Sequence, residues 1–461
     1  LAANTSGVAS SVTYDTTSGN KNATITSGSL TLTGGAAASN TAINYIQKSA
    51  GAALAVGAIS MTGSITLDNT YGGTGGVGGT ATSGFVTSAN AGTLATGSAG
   101  LLADTANVTI NSGGNYTVGA ADTIASISGS GDLRLNAALT MGTSTFSGNI
   151  SGASAIVMNT GTLTFSGNNT NWSGGISCIS GSGMNSPVFI AGADNAFGNG
   201  TIAGGNNFGA TIRSSDATDR TLANSISRSN GAAGTLVLGS AGTGNLTIQG
   251  GYSSTNNFAL GTIQVDNAWT QINGAVASTN AGYTLTKTGN GTLILNGNNT
   301  YALATTISAG TLQIGASGRL GGGSYSGNIA INGLTSAFVY AGTNNQTLTG
   351  LISGNGVFTK NGSGMLTINA SNTIGAKTVN GGTLRIVAPG GVGGIGASNS
   401  TVNLNNGSTL QLGGTTNSTS NNNAVYNGAV INIDSTGGAT VANDGLNGWI
   451  QFGGWFTINT N

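Results

Sequence analysis

Residues 285–295 read LTKTGNGTLIL, and residues 358–368 repeat the same pattern as FTKNGSGMLTI. In each copy, two short runs of alternating apolar and polar residues flank a turn rich in Gly, Asn and Ser. Both copies continue to a further Gly-Thr-Leu, which begins at Gly310 and at Gly382. Alternation with period two predicts half-buried β-strands, and the intervening residues favour tight turns.

Runs of this kind recur along most of the chain. Residues 161–170 (GTLTFSGNNT) closely match residues 291–300 (GTLILNGNNT), and no apolar stripe with helical spacing exceeds two turns. A repeat of roughly 20 to 30 residues cannot bury its own apolar face, so successive repeats must stack on each other. The sequence therefore predicts an all-β protein built as a β-helix, a solenoid of stacked coils.

The composition excludes several classes of function. The 461 residues include 83 Gly, 11 Lys plus Arg, 11 Asp plus Glu, no His and one Cys. Without His there is no Ser-His-Asp or Cys-His system, and one Cys forms no thiolate cluster. A net charge of zero supplies no field for nucleic acid or an anionic membrane. We expect no catalytic residues, no cofactor, no metal site and no nucleic-acid partner.

The scarcity of charge has a physical reason in a stacked fold. Equivalent side chains on neighbouring coils lie about 5 Å apart. Two like charges at that separation repel by roughly 1 kcal/mol in water and by 3 to 4 kcal/mol at an effective dielectric of about 20. Thr, Ser and Asn can instead form hydrogen-bonded ladders along the stack.

The repeated residues resemble a known family. The pattern Leu/Phe-Thr-Lys-x-Gly-x-Gly-x-Leu, followed by Asn-Thr and a further Gly-Thr-Leu, is similar to the autotransporter-associated β-strand repeat. The resemblance is clearest over residues 283–315 and 356–387 and partial over residues 156–175. It implies a right-handed parallel β-helix displayed on a bacterial cell surface, with an adhesive or structural role, and it carries over no catalytic residue.

Three regions are expected from changes in composition. Residues 1–105 are rich in Gly and Ala and predict a distinct N-terminal β region. Residues 106–415 carry the Gly-Thr-Leu repeats and predict the β-helix itself. Residues 416–461 begin within a polar stretch, residues 415–423 (TTNSTSNNN), and predict a C-terminal cap or docking segment. No stretch is apolar enough over about 20 residues to predict a transmembrane helix.

A cluster of charges is the first candidate site. Arg213, Asp216, Asp219, Arg220 and Arg228 lie within a short stretch of a chain that is otherwise poor in charge. On a β-helix, Asp beside Arg is typical of polysaccharide lyases and hydrolases, in which acids bind a metal or protonate a glycosidic oxygen. The alternative is a solvated loop of ion pairs, each worth about 0 to 1 kcal/mol.

Aromatic residues near the C-terminus are the second candidate. Trp449, Phe452, Trp455 and Phe456 predict either a cap on the open end of the solenoid or a surface for a partner or sugar. We interpret Trp172 and Trp269 as packing residues, and Cys178 as a lone buried thiol rather than a link between subunits.

Two glycine runs resemble the start of a calcium-binding motif. Residues 72–77 and 390–395 begin like the Gly-Gly-x-Gly-x-Asp motif of calcium-binding β-rolls. Val77 and Ile395 stand where Asp would ligate the ion, so that motif is absent. A site built partly from backbone carbonyls, near Asp434 or Asp444, stays open.

Three functions follow, in order of preference. The first is a non-enzymatic extracellular subunit that associates with itself in a surface layer, sheath or filament, because a chain of zero net charge associates readily. The second is an autotransporter-type adhesin that binds a glycan, a host surface or the cell envelope. The third is a β-helix polysaccharide lyase or hydrolase that uses Asp216 and Asp219.

Overall fold

The computed structural model describes the strands between residues 10 and 96 by their backbone, and then most of the chain from residue 99 to residue 460. The gaps in that second part are residues 101, 103, 105, 179–185, 207, 231–233, 255–259, 279–283, 370–371, 389–399, 406, 415–423, 428–429, 435–437, 444–449 and 454–456.

The described residues form β-strands joined by short turns. As far as residue 230, the strands are Ser10–Ser11, Lys21–Ile25, Ser29–Leu32, Ser39–Gln47, Ala53–Val56, Ile59–Asn69, Val86–Ala89, Thr93–Thr96, Asn107–Ile110, Asn115–Val118, Asp122–Thr123, Ser126–Gly129, Asp132–Leu135, Leu139–Thr140, Ser144–Phe146, Asn149–Gly152, Ile156–Met158, Thr162–Phe165, Ile176–Cys178, Val188–Ala191, Ile202–Asn206, Ala210–Ser214, Arg220–Leu222 and Ile226–Asn230.

The remaining strands are equally short. They are Thr235–Leu238, Leu246–Ile248, Tyr252–Ser254, Gly261–Val265, Trp269–Ile272, Val276–Ser278, Leu285–Thr288, Thr292–Leu295, Asn298–Asn299, Thr305–Ile307, Thr311–Ile314, Arg319–Leu320, Ser324–Tyr325, Ile329–Ile331, Ala337–Tyr340, Gln346–Leu348, Ile352–Gly354, Val357–Lys360, Leu366–Ile368, Ala376–Val379, Thr383–Ala388, Thr401–Leu404, Thr409–Gly414, Ala424–Asn427, Val430–Ile433, Thr440–Asn443, Ile450–Gly453 and Thr457–Thr460. One 3-10 turn at Gly321–Gly323 is the only helical element among the described residues.

The chain divides into two compact units. The first unit comprises Leu1–Gly205, Ala210–Asp216 and Arg220–Asn224, and the second comprises Asn206–Gly209, Ala217–Asp219 and Ser225–Asn461. The boundaries predicted at residues 105 and 415 stay predictions.

The first unit is a stack of three-strand coils. Asp132–Leu135 is followed by Leu139–Thr140 and Ser144–Phe146, and each strand pairs in parallel with its equivalent in the neighbouring coil. Asn149 Nδ2 donates to Asp132 Oδ1 across 17 residues of sequence, which is the length of one coil here. Parallel pairing between successive coils is the arrangement expected of a parallel β-helix.

The second unit repeats the arrangement with coils of varied length. Thr292–Leu295 pairs in parallel with Trp269–Ile272 on one side and with Thr311–Ile314 on the other. Equivalent residues in adjacent coils lie 19 residues apart at Asn361 and Asn380. The predicted all-β parallel β-helix is therefore confirmed, whereas its right-handedness stays a prediction.

Inward-facing apolar side chains hold the coils together. Leu293, Leu312 and Phe338 occupy equivalent positions in three successive coils and are fully buried. The ring centroids of Phe338 and Phe358, one coil further on, lie 5.6 Å apart. Fully burying one such side chain contributes about 1.5–3 kcal/mol, so stacking supplies the core that a single coil lacks.

Candidate binding surface

One long face of the second unit carries neutral polar side chains. It is the outer side of the sheet that contains Leu246–Ile248, Trp269–Ile272 and Thr292–Leu295, and it continues to Thr457–Thr460. Alternate residues of each strand point inward to the core, so the others point outward. The central outward positions follow one another in register as Thr247, Gln271, Ile294, Gln313, Val339, Thr359, Thr378, Asn403, Asn432 and Asn459.

We call this set of ten residues the neutral face. It contains no ionisable side chain, only hydroxyl, amide and aliphatic groups. A ligand that lies on it meets hydrogen-bonding groups repeated about every 4.8 Å, the spacing between strands. The face therefore favours an extended, uncharged ligand that is rich in hydrogen-bonding groups.

Amide ladders run along the neutral face and at its edge. Asn459 Nδ2 donates to Asn432 Oδ1 at 2.9 Å, and Asn432 Nδ2 donates to Asn403 Oδ1 at 2.7 Å. Equivalent ladders at the strand ends link Asn273 to Gln249, Asn296 to Asn273, Asn380 to Asn361, and Asn405 to Asn380. The predicted ladders are present, and an amide nitrogen that donates once along the stack retains a second N–H.

Trp269 lies beside the central row of the neutral face, on its outer side. Its strand alternates in burial, and Trp269 and Gln271 are the two partly exposed residues. Strand parity turns the Trp269 side chain away from the core but leaves it only partly exposed, so its interpretation as a packing residue stays a prediction. Trp172 is fully buried, and its Nε1–H donates to the carbonyl oxygen of Ser154 at 2.9 Å, so the interpretation is confirmed there.

The charged cluster splits between separate contacts. Arg220 donates from Nη2 to both carboxylate oxygens of Asp216, at 3.2 and 3.1 Å, and Asp216 is about half exposed. Arg213 Nη1 donates to the carbonyl oxygen of Ser214 at 3.1 Å. An ion pair as exposed as Asp216–Arg220 is worth about 0 to 1 kcal/mol, which agrees with the solvated-loop alternative.

Asp219 has a different partner. Its Oδ1 accepts the backbone N–H of Asn245 at 2.8 Å and the side-chain Nδ2 of Asn245 at 3.0 Å. Asp219 therefore fastens the turn that precedes Leu246–Ile248 to its own turn. A catalytic role for Asp216 and Asp219 stays a prediction, and the contacts shown give each carboxylate a structural one.

Most of the C-terminal aromatic cluster lies outside the described residues. This is true of Trp449, Trp455 and Phe456. Phe452 belongs to the strand Ile450–Gly453, where its backbone pairs with Tyr426, and its side chain is not among the described ones. The cap or docking role stays a prediction.

Three buried lysines are the residues that the sequence analysis missed, and Arg228 of the charged cluster is buried as well. Lys287, Lys360, Lys377 and Arg228 are at most 1 % exposed, although each is a charged residue. Arg228 donates to the carbonyl oxygens of Phe208, Gly234 and Leu260 at 2.7, 2.8 and 3.0 Å. The signal was present in the repeat, because Lys287 shares strand parity with the buried Leu285.

Lys287 links two turns of the stack. Its Nζ donates to the carbonyl oxygens of Thr288 and Gly289 at 2.7 and 2.8 Å, and to that of Ala309, next to the second Gly-Thr-Leu, at 3.2 Å. Lys360 holds the equivalent place in the other repeat, with Gly362 and Gly381 as acceptors. In each repeat, the lysine therefore links the turn after its own strand to the turn before the second Gly-Thr-Leu strand.

Stability is expected to rise between about pH 8 and pH 10 because of these lysines. Burial lowers the pKa of Lys287 and of Lys360 to about 8, against 10.5 when unfolded. In that window the unfolded chain binds more protons, so raising the pH favours the fold by up to about 1.4 kcal/mol per pH unit for each lysine.

Urea unfolding followed by circular dichroism at several pH values measures this effect. Lys360→Met should make the rise shallower, because one titrating group is gone. Burial raises the pKa of Tyr301 and of Tyr340 to about 12, so stability is lost only where tyrosine ionises, above about pH 10. A midpoint that stays constant or falls from pH 8 to pH 10 contradicts the prediction.

The remaining candidates are the buried thiol, a metal site and a membrane-spanning helix. Cys178 is buried, and burial raises the pKa of its thiol to about 12, so the predicted lone buried thiol is confirmed. Among the described residues no three Cys, Asp or Glu side chains converge as a metal site would require. Helices long and apolar enough to cross a membrane are likewise not found in this part of the chain.

Comparison with known proteins supports the resemblance seen in the repeats. The passenger-associated-transport-repeat family matches residues 285–314 and 358–386. The adhesin BmaC autotransporter of Brucella suis biovar 1 (strain 1330) is 35% identical over 244 residues, which are 43% of this chain and 7% of that protein. No solved structure matches the chain.

These matches confirm two predictions. The chain carries repeats of the autotransporter passenger type, and these repeats together with the adhesin relative indicate an exported protein of the cell surface. It spans only a small part of the relative's length, so that protein's activity cannot be transferred to it as a whole. Neither match bears on a surface layer, sheath or filament, and self-association stays a prediction.

Proposed function

We propose that this chain, a passenger-type repeat protein of the cell surface, is an adhesive segment that binds neutral glycans or other uncharged surfaces through the neutral face. The observation that carries the proposal is the row of uncharged outward side chains in register over successive coils, in which eight of ten carry a hydroxyl or amide group and Ile294 and Val339 are aliphatic. The adhesin name of the relative supports it. Of the three functions drawn from the sequence, this was the second.

The chemistry of the face favours an uncharged partner. Amides offer both donors and acceptors, so they match sugar hydroxyls, which also donate and accept. A face without charge has no counterpart for an acidic polymer, and binding to it leaves no buried ion unpaired. Weak contacts repeated along a linear ligand act together, so that a useful avidity does not need a deep pocket.

Charges placed on the neutral face are expected to abolish adhesion. Gln313 and Thr359 are partly exposed outward residues separated by one coil, which keeps two introduced lysines about 10 Å apart. The variant Gln313→Lys with Thr359→Lys should attach to glycan-coated and matrix-coated surfaces at least about tenfold less than the wild type, a loss of about 1.4 kcal/mol. Microspheres that carry the purified chain measure attachment under flow.

A matched control puts the same two charges on another sheet of the same unit. Thr286 and Ala330 are also partly exposed and are also separated by one coil. Thr286→Lys with Ala330→Lys should attach like the wild type. Equal losses in both variants, or no attachment of the wild type to any of the surfaces, would refute the proposed function.

A further inference from the structure

We infer that Trp269 is a stacking platform for one pyranose ring of a neutral sugar, at one end of the neutral face. The inference rests on the proposed adhesive function and names its ligand class. It starts from an anomaly, since the outward side chains of its own strand and the next one are otherwise Gln271, Thr292 and Ile294, and this one is a large aromatic.

The indole is placed to receive a ligand. Trp269 is partly exposed, and no other aromatic ring of the described residues packs against it. Its backbone N–H donates to Asn245 Oδ1 at 3.0 Å, which ties the residue to the preceding coil. The indole N–H has no acceptor in the described part of the protein, unlike that of Trp172. The platform is thus held by its backbone while its ring and its N–H are available.

The neighbours supply the polar half of a sugar site. Gln271 lies two residues along the same strand and therefore on the same face, and Thr292 is the register partner of Trp269 in the next coil. Gln271 Nε2 donates to Asn273 Oδ1 at 2.7 Å, which fixes the direction of the amide. An aromatic ring beside fixed amide and hydroxyl groups matches a pyranose, whose C–H face is apolar and whose rim is hydroxylated.

The neutral character of the ligand follows from the charges nearby. Two carboxylates stand near this set along the chain: Asp219, whose Oδ1 accepts the backbone and side-chain N–H groups of Asn245, and Asp266, three residues before Trp269. An acidic sugar would meet these carboxylates, while Arg220, beside Asp219, is already paired with Asp216. Aromatic side chains are the commonest hot spots of binding surfaces, so Trp269 should carry much of the affinity for each sugar ring.

The experiment observes the indole directly. The complete chain is labelled with ¹⁵N-tryptophan, and Trp269→Phe assigns the indole signal of Trp269 among those of the four tryptophans. The methyl glycosides of glucose, galactose, mannose and N-acetylglucosamine are titrated separately. At least one should shift the Trp269 signal to saturation, with a dissociation constant on the order of millimolar, and leave the Trp172 signal unchanged.

Two further measurements decide the matter. Trp269→Ala should lower the affinity for that glycoside at least about tenfold. Trp172 is unsuitable as a control position because it is buried in the core. Gln271→Ala should weaken binding less. No saturable shift with any neutral glycoside, or a shift only with N-acetylneuraminic acid, overturns the inference.

The outcomes separate this inference from the proposed function. If microspheres carrying the chain still attach and the neutral-face lysines still abolish attachment, but Trp269 does not respond, the adhesive face binds something other than a sugar, such as protein. If Trp269 responds but attachment is unaffected by the neutral-face lysines, the proposed function fails and the sugar site stands.

Discussion

Replacing Gly354 by alanine is expected to destabilise the second unit by about 3 kcal/mol or more. Gly354 ends the strand Ile352–Gly354 with a φ of 112°, which side-chain-bearing residues rarely adopt. A Cβ at this position would overlap the carbonyl oxygen of Ile331 and lie 2.6 Å from its carbonyl carbon. Both atoms belong to the backbone of the preceding coil, so the stack would have to open to admit the methyl group.

Gly375 provides the matched control for this variant. It stands just before the strand Ala376–Val379, its φ lies outside the left-handed region, and a Cβ there would meet nothing within 4 Å. Gly375→Ala should change stability by less than about 1 kcal/mol, and the sign should favour the fold because the unfolded chain becomes less flexible. Urea midpoints followed by circular dichroism compare the two. Similar losses in both variants would show that coil contact at Gly354 is not the cause.

The second large effect is expected from Lys360→Ala, at about 3 kcal/mol of lost stability. The whole side chain is buried, its Nζ donates to Gly362 and Gly381 carbonyl oxygens, and the ammonium lies 5.7 Å from the centroid of the Tyr340 ring. Alanine would remove the packed stem, leave a cavity and take the donor from two buried carbonyl groups.

Lys360→Met separates the two contributions. Methionine keeps most of the apolar stem and relieves the cost of a buried charge, so we expect a loss of only about 1 kcal/mol. The same unfolding measurement applies, with Lys360→Ala as the reference. If Lys360→Ala lost less than about 0.5 kcal/mol, as an exposed lysine would, the residue would not clamp the turns.

The alternation of apolar residues was sufficient to predict the fold. Leu293 and Ile294 show why, since neighbouring residues of a strand face opposite sides and only the Leu is buried. The repeat spacing added the stacking, because units of this length bury an apolar face only against one another. Neither argument required long-range information.

The same rule applied more strictly would have found the buried lysines. Lys360 has the parity of Phe358, so the pattern places both inside. Charge by itself indicates an exposed residue, whereas carbonyl oxygens at the turns can accept from a buried ammonium group. Which carbonyl groups accept depends on the neighbouring coil, which supplies the Gly381 oxygen as an acceptor for Lys360. No local sequence pattern contains that information.

The placement of Trp269 likewise depends partly on the sequence and partly on the register between coils. Its parity with Gln271 is a property of the sequence and indicates an outward side chain. Its relation to Thr292 and Asn245 depends on the register between coils of different lengths. The charged cluster is a third case. Closeness in sequence did not reveal that Asp216 pairs with Arg220, whereas Asp219 accepts a hydrogen bond from Asn245.

The amino-acid sequence by itself determined the strands and their stacking. The strands follow from the alternation of apolar and polar residues, and the stacking follows from the repeat. The scarcity of charge is a property of the composition. Tertiary structure alone decided which outward residues lie side by side in the neutral face and which carbonyl groups receive the buried lysines. The coils differ in length, with 17 residues between Asp132 and Asn149 and 31 between Thr409 and Thr440, so register across them is set by packing.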